Sequence, residues 1–502
     1  MRQPLILYWS RRDFRVEDNP ALSQAVAESR KKNIPFLPLF ILEDYMVAGR
    51  PEAQFGYPSR WFLAHALPEF GKQFNSFAVV RGKAAQYFIE LNEQYALSVF
   101  VNDDVYPDFG TQIEKLRRAG VEVVVCSDAL TVSPDTRTGQ GNTYSVFTPF
   151  KKAVWSSFVS IAPLARADVQ AVAYANLEGL PNRIALDAGI LWNTFSHERV
   201  MCVGEHIISL AELTPSPNLD GWYVSEEEAK NRFKRFLAYD LMAAYDTGRD
   251  SLEDDVTTTT RADGALQGKT SRMSLALAWG LVSSRMLMKM LREHFNEPFD
   301  NPFSDRVNQG ALSYISELIW REFYRYLFLH NPALMHTEFQ EKFRGTIAWV
   351  PDGEAYERFL HWIQGETGYP VVDAAMHQLA SIGWMHNRAR MIVASVLTKN
   401  LGVDWRWGQE YFRATLIDLD EASNNGGWQW GASVGADPKP IRIFNPTLQA
   451  KNYDGSGAYQ REWLQNDGMF MKAEVVPIVD HVAAREEALI RYGLKGTAPR
   501  DY

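Results

Sequence analysis

The stretch LIDLDEASNNGGWQW, residues 416–430, brings the carboxylates of Asp418 and Asp420 together with two asparagine amides, two glycines and two indoles. Flexible backbone, amide groups and large aromatic rings are rarely needed in one place by packing alone. A second stretch, SELIWREFYRYL, has helical spacing. As a helix it puts Glu317, Trp320, Arg321 and Tyr324 at i, i+3, i+4 and i+7, on one face. A stripe mixing carboxylate, indole, guanidinium and phenol suits a polar cavity or groove. It equally suits a solvated face with an i,i+4 Glu–Arg pair, and the pattern alone leaves both open.

Three further features carry chemistry. In GWMHNRARMI, Arg388 and Arg390 have no acidic neighbours along the chain, and guanidinium forks suit phosphates and carboxylates. Asn387 beside them can hydrogen-bond a base or flavin edge; the plainer reading is a basic surface cluster, and His386 alone indicates nothing. In KTSRMSLALAWG, Thr270, Ser271 and Ser274 stand at a loop-to-helix junction, where hydroxyls and free N–H groups bind anions. Taken alone, that stretch reads more simply as a capping sequence. Seven of the 15 tryptophans fall at 349, 362, 384, 405, 407, 428 and 430. That density among polar residues suggests stacking platforms or an electron path, and composition does not choose between them. There is no H-E-x-x-H, no G-x-S-x-G and no P-loop, so hydrolase and kinase readings have no motif. Scattered histidines and two cysteines, Cys126 and Cys202, argue against a catalytic metal and against a disulfide framework.

These residues must be positioned by a large scaffold, since 502 residues suggest more than one domain. In the first third, LILYWS (5–10), IPFLPLFIL (34–42), FAVVRG (77–82), LSVFVND (97–103) and VEVVVCS (121–127) are short apolar runs separated by helix-like segments. That alternation reads as a doubly wound parallel sheet. The first strand-to-helix turn, WSRRDFRVEDNPAL, lacks the G-x-G-x-x-G of dinucleotide-binding turns. Residues 131–220 lose periodicity and read as a connector with some helix. From 221 to 502 long amphipathic patterns dominate, such as EEEAKNRFKRFLAYDLMAAYDTG, SLALAWGLVSSRMLMKMLREHF and ALSYISELIWREFYRYLFLH, so the second domain is mostly helical. The stretch 249–271 reads as a mobile surface loop. The fold class is therefore an α/β domain over 1–130 followed by a larger all-α domain. No apolar run approaches the roughly 20 residues of a membrane span, and the start is too short in apolar residues for a secretory signal. A reducing, cytoplasmic location is expected. A net charge of −9 argues against indiscriminate binding to polyanions.

The motifs together resemble the photolyase/cryptochrome family over essentially the whole length. WSRRDFRVEDNPAL is similar to the family's opening, and TYSVFTPFKKAVW, KTSRMS, ELIWREFYRYL, TGYPVVDAAMHQL, GWMHNRARM, DWRWGQEYF, LIDLDEASNNGGWQW, RIFNPTLQA and PIVDHVAAREEALIRY follow in family order. NNGGWQW and WMHNRARM look like the class I cyclobutane pyrimidine dimer photolyases. The (6-4) photolyases carry histidines where this chain has Asn387 and near Met391, and the iron–sulfur branch needs four cysteines.

The resemblance implies FAD folded within the helical domain, which accounts for the missing glycine turn in the first. By motif match Tyr245, Thr270, Ser271, Arg272, Met273 and Ser274 hold its ribityl and phosphate groups, with Tyr314 nearby. Asp418 and Asp420 contact the ribityl and adenine side, and Asn424 faces flavin N5. Trp428, Trp405 and Trp349 match the family's electron relay. The implied substrate is a pyrimidine dimer flipped out of UV-damaged DNA, with Trp320 and Trp430 as walls, Glu317 and Asn387 on its edges and Met391 below. Arg249, Arg321, Arg388, Arg442 and Gln449 are implied backbone or lesion contacts. The opening stretch thus places an N5 partner, a first electron relay and a pocket wall on one segment. A second antenna chromophore, folate or deazaflavin, is left open, and a monomer without membrane contact is expected. The competing function is a cryptochrome-type blue-light receptor that keeps FAD and lacks repair. Departures from the family pattern are the missing Pro in SRMSLALAWG, a longer 250–269 loop, Tyr326 in place of a common His, and an insertion between Trp349 and Trp362.

Overall fold

The computed structural model describes residues 2–48, 55–238, 241–253, 269–304, 307–436, 441–465 and 476–494. Most of the stretch read as a mobile loop, 254–268, lies outside the described residues. The five expected strands form at β1 Gln3–Ser10, β2 Phe36–Leu42, β3 Ala78–Arg81, β4 Tyr95–Asn102 and β5 Glu122–Cys126. They pair in parallel in the order β5-β4-β1-β2-β3. Strand side chains alternate between faces. Leu5, Leu7 and Trp9 of β1 enter one core, while Ile6 and Tyr8 enter the other, which is continuous with the core of the helical domain. Every residue of β2 is buried, as a strand covered on both faces requires.

The segment read as a connector contributes more than expected. It supplies a helix at Phe147–Ser160, the edge strand β6 (Arg183–Ile184) antiparallel to β3, and a hairpin of β7 (Val200–Val203) and β8 (His206–Ser209). The sheet is thus parallel with one antiparallel edge. The helical pattern at 274–295 is split into Ser274–Ala278 and Ser284–Phe295. Between them Gly280 adopts φ 65°, where a Cβ would overlap the Arg12 carbonyl. Ser283 then caps the next helix by accepting from the Met286 N–H at 3.0 Å. A close approach of the two domains therefore breaks a pattern that looked continuous.

That approach takes place where the strand order reverses, beyond the carboxyl ends of β1 and β4. Asp13 is held there by Tyr8 Oη at 2.7 Å and Asn102 Nδ2 at 2.6 Å. Arg15 and Arg285 both reach Asp128, at 2.6 and 2.5 Å, and Arg285 also reaches Asp18 at 2.8 Å. Arg12 donates to the Leu419 carbonyl at 2.8 Å, with its guanidinium over the rings of Phe55, Tyr106 and Trp279. Among the described residues no helix is long and apolar enough to cross a membrane.

Burial alone would raise the Asp128 carboxyl, but Arg15 and Arg285 outweigh it and hold it below the usual range. Its stabilising effect is therefore complete above the unfolded value of about 3.9 and is lost as pH falls through the lower folded value. Asp128→Asn leaves two buried guanidiniums undercompensated and is expected to cost about 3 kcal/mol. Urea titrations at pH 7 and below pH 4 test this: the deficit of the variant should be present at pH 7 and shrink in acid.

Candidate functional site

A cavity of about 490 Å³ opens in the helical domain. The Gln309–His330 helix builds one wall, starting at Asn308, whose side chain caps Ala311 N at 2.8 Å. Its periodicity presents Tyr314, Glu317, Trp320, Arg321 and Tyr324 to the cavity, while Glu322, Arg325 and Tyr326 are buried elsewhere. The solvated-face alternative does not hold, and Glu317 and Arg321 are not each other's partners. Glu317 pairs with Arg249, and Arg321 donates to the Leu277 carbonyl at 3.0 Å and lies 3.8 Å from Asp420. Burial raises the Glu317 carboxyl above its ordinary value, against the pull of Arg249.

The opposite wall is the Glu421–Gly431 helix, and Asp420 is its N-cap, accepting from Ser423 N at 2.9 Å. Arg325 donates to the same carboxylate at 2.8 Å. Burial opposes the charge, but Arg325, Arg321 and the Ser423 N–H prevail and hold the Asp420 carboxyl far below the usual range. From that cap the helix turns Asn424, Gly427 and Trp428, at i, i+3 and i+4, towards the cavity. Asn424 Nδ2 donates to the Gln409 carbonyl at 3.1 Å, which leaves its buried Oδ1 without a protein partner. A buried acceptor left this way costs free energy unless a bound molecule supplies a donor. The adjacent glycines differ. A Cβ on Gly426 would overlap the Tyr324 ring, whereas one on Gly427 would meet no protein atom and would project into the cavity.

The junction Thr270–Ser274 forms the floor. The short helix at Ser274 has no side-chain cap, so the capping reading is replaced. Ser271 Oγ shares a 3.1 Å hydrogen bond with Tyr314 Oη, and Ser274 Oγ accepts from Trp384 Nε1 at 3.2 Å. Arg272, between them, holds φ 51°, a left-handed conformation that costs a non-glycine residue of order 1 kcal/mol. Its guanidinium lies 4.4 Å from the Trp384 ring. The basic-cluster reading of Arg388 and Arg390 is also corrected. Arg388 pairs with Asp250 at 2.7 Å and Arg390 with Asp418 at 2.8 Å, partners remote in sequence.

Of the residues singled out from sequence, Tyr245, Arg249, Thr270 to Ser274, Tyr314, Glu317, Trp320, Arg321, Asn387, Arg388, Met391, Asp418, Asp420, Asn424, Trp428 and Trp430 all line this one cavity. Four do not. Trp405 is fully buried with Nε1 3.4 Å from Glu338 Oε1, and Trp349 packs edge-on to Tyr492 at 6.1 Å. Arg442 covers the Trp430 ring at 5.2 Å, and Gln449 is buried. Trp428 packs edge-on against Trp362 and Phe412, at 6.0 and 5.0 Å, and rests on Gly408, one turn from Trp405. Sequence reasoning assigned no specific contact to Trp384, Phe412 or Gly427, although each stands in one of the family motifs. It also gave none to Phe147, whose ring stacks on Trp320. Among the described residues no group of His, Cys, Asp and Glu could hold a metal ion.

Comparison with known proteins gives two family matches: "DNA photolyase" over residues 6–168 and "FAD binding domain of DNA photolyase" over 314–475. The chain is 32% identical to the deoxyribodipyrimidine photo-lyase of Synechococcus sp., covering 91% of this chain and 87% of that one. It is likewise 32% identical to the protein of that name from Escherichia coli K12, with 97% and 98% covered. A crystal structure of a class III photolyase from Agrobacterium tumefaciens superposes with a TM-score of 0.76 at 29% identity, over 98% of both chains. FAD is thus the cofactor to test against the cavity, and the residues fit it: an orphaned amide acceptor, hydroxyls at a helix start and an open glycine Cα. Gly427→Ala is expected to raise the stability of cofactor-free protein by about 0.5–1 kcal/mol, as alanine does in a helix, while reducing FAD retention. Gly426→Ala is expected to lower the stability of the cofactor-free protein by about 1–3 kcal/mol through Tyr324. Thermal melts of apoprotein and flavin absorbance per chain separate the two.

Proposed function

This chain belongs to the DNA photolyase family, and on that premise we propose that it uses light to split cyclobutane pyrimidine dimers in UV-damaged DNA. One observation carries the proposal: the groups suited to the flavin and those suited to the lesion line a single cavity. On the Gln309–His330 helix, Tyr314 and Glu317 serve the two sides one turn apart. On the Glu421–Gly431 helix, Asn424 and Trp430 do so less than two turns apart. Cofactor and lesion would then meet without intervening protein. The chemistry that reduced FAD supplies when bound is light-driven donation of one electron to the dimer and its recovery once the ring has opened.

The protein's part is position and electrostatics. Tyr245, Thr270, Ser271, Arg272, Met273, Ser274, Asp418 and Asp420 would hold the cofactor. Asn424 would offer flavin N5 its unpaired acceptor. Trp428, Trp405 and Trp349 would relay electrons inward from the surface. Trp320 and Trp430 would wall the flipped dimer, Glu317 and Asn387 would bond its edges, and Met391 would pack beneath it. Extruding a damaged base costs a few kcal/mol, less than an intact one. Arg249 and Arg388 would exchange Glu317 and Asp250 for contacts with the nucleic acid, assisted by Arg321, Arg442 and Gln449. Phosphate contacts of this kind make binding fall with salt. The class III name belongs to the Agrobacterium protein, and the proposal extends to dimer repair without a subclass.

Reduced protein incubated with a thymine-dimer oligonucleotide should restore base absorbance under blue light and not in the dark. Trp320→Ala and Glu317→Ala should keep FAD, and Trp320→Ala should weaken dimer binding about 10- to 100-fold, the range of one stacked base. No repair in light, with the flavin bound and photoreducible, would replace this reading with a blue-light receptor.

A further inference from the structure

We propose that the first two turns of the Phe147–Ser160 helix belong to the substrate site. Phe147 is the positioning residue that sets the ring plane of Trp320, and Lys151 and Lys152 receive the DNA strand at the pocket mouth. The inference rests on the repair reading above and extends it to a segment whose sequence looked like a connector.

The Phe147 and Trp320 rings lie face to face, 3.5 Å apart and 7° from parallel. Aromatic pairs left to themselves prefer offset or edge-on arrangements. This pair is instead held in place by Phe323, edge-on to both rings at 5.8 and 5.9 Å. Trp320 lines the cavity and Phe147 does not, so Phe147 covers the indole face turned away from it. The helix is fixed from below as well: Phe150 is buried against Phe323 and Tyr326, and Tyr326 Oη accepts from Tyr144 N at 3.2 Å. A wall that must stack on a flipped base benefits from a ring that cannot tilt, because its rotational freedom is lost before binding.

The next turn carries charge. Lys151 lies one turn after Phe147 and donates to Ser316 Oγ at 2.7 Å, next to Glu317 on the cavity-facing helix. Lys151 and Lys152 approach the ring of Phe303 at 5.9 and 5.5 Å, and Phe303 is 62% exposed. Two lysines and an exposed aromatic beside the helix that carries Glu317 and Trp320 complement a strand with phosphates and unstacked bases. The occupant is therefore the DNA strand that flanks the lesion.

The test uses flavin-loaded protein and fluorescence anisotropy with matched oligonucleotides, one bearing a single thymine dimer. Phe147→Ala should weaken dimer binding roughly 2- to 10-fold, the value of an aromatic pair, and leave undamaged DNA unaffected. Phe147→Tyr should restore the ratio. Phe147→Leu, which keeps apolar bulk without the stack, provides the same comparison if the alanine variant does not fold. Lys151→Gln with Lys152→Gln should weaken both oligonucleotides alike and reduce the salt slope by about 2, one per phosphate contact. An unchanged damaged-to-undamaged ratio in Phe147→Ala or Phe147→Leu, with flavin content and melting temperature at wild-type values, overturns the positioning role. An unchanged salt slope overturns the strand contact. Wild-type protein that does not prefer dimer DNA overturns the repair reading and this inference with it.

Discussion

The Asp420 carboxylate is the constraint on which the site depends. It caps the Glu421–Gly431 helix, and it pairs with Arg325, whose Nε donates to the Ala129 carbonyl of the α/β domain. One buried group thus sets where the cavity wall begins and ties that wall to the other domain. A buried ion pair rarely adds much net stability, because desolvation offsets the attraction. What it adds here is phase. The residues presented to the cavity are counted from the cap, so a helix starting one residue later would rotate Asn424 and Trp428 by roughly 100°. At the other end Lys399, fully buried, donates to the Gly431 carbonyl; burial and the nearby Arg442 push its ammonium well below its ordinary value, so that terminus is held by a hydrogen bond rather than by a charge.

Much of this was legible in the sequence because the signals were local. The five apolar runs of the first third became five strands, and the mixed stripe in SELIWREFYRYL became one cavity wall, since both depend only on backbone period. What stayed hidden depends on residues far apart. Arg390 finds Asp418 and Arg249 finds Glu317 only after folding, so basic and acidic stretches that look unpaired along the chain neutralise each other in space. β6 is two residues long and exists only because β3 leaves an edge to pair with. The break at Gly280 follows from the approach of Arg12, and no helical pattern contains that information.

Loss of periodicity did not mean loss of structure. The 131–220 segment looked like a connector because its apolar residues follow no single repeat. They do not need one, for they pack against elements already in place: Phe150 on Phe323, Tyr144 on Tyr326, Trp155 Nε1 on the Phe299 carbonyl at 2.7 Å. A segment folded onto a scaffold takes its pattern from the scaffold's surface.

The charge arrangement bears on how an acidic chain could engage a polyanion at all. With a net charge of −9 the whole-chain charge opposes a polyanion, and Arg249 and Arg388 are already paired with Glu317 and Asp250. Undamaged duplex offers phosphates in exchange for carboxylates, a swap with little net gain. On the proposed reading a strand that also fills the cavity would change the balance, because apolar burial between Trp320 and Trp430 would accompany the exchange and the displaced Glu317, its carboxyl already raised by burial, would acquire a hydrogen-bonding partner. On that reading discrimination would arise from the cost of leaving those internal pairs rather than from the strength of any one phosphate contact, which is how a specific site avoids being a general one.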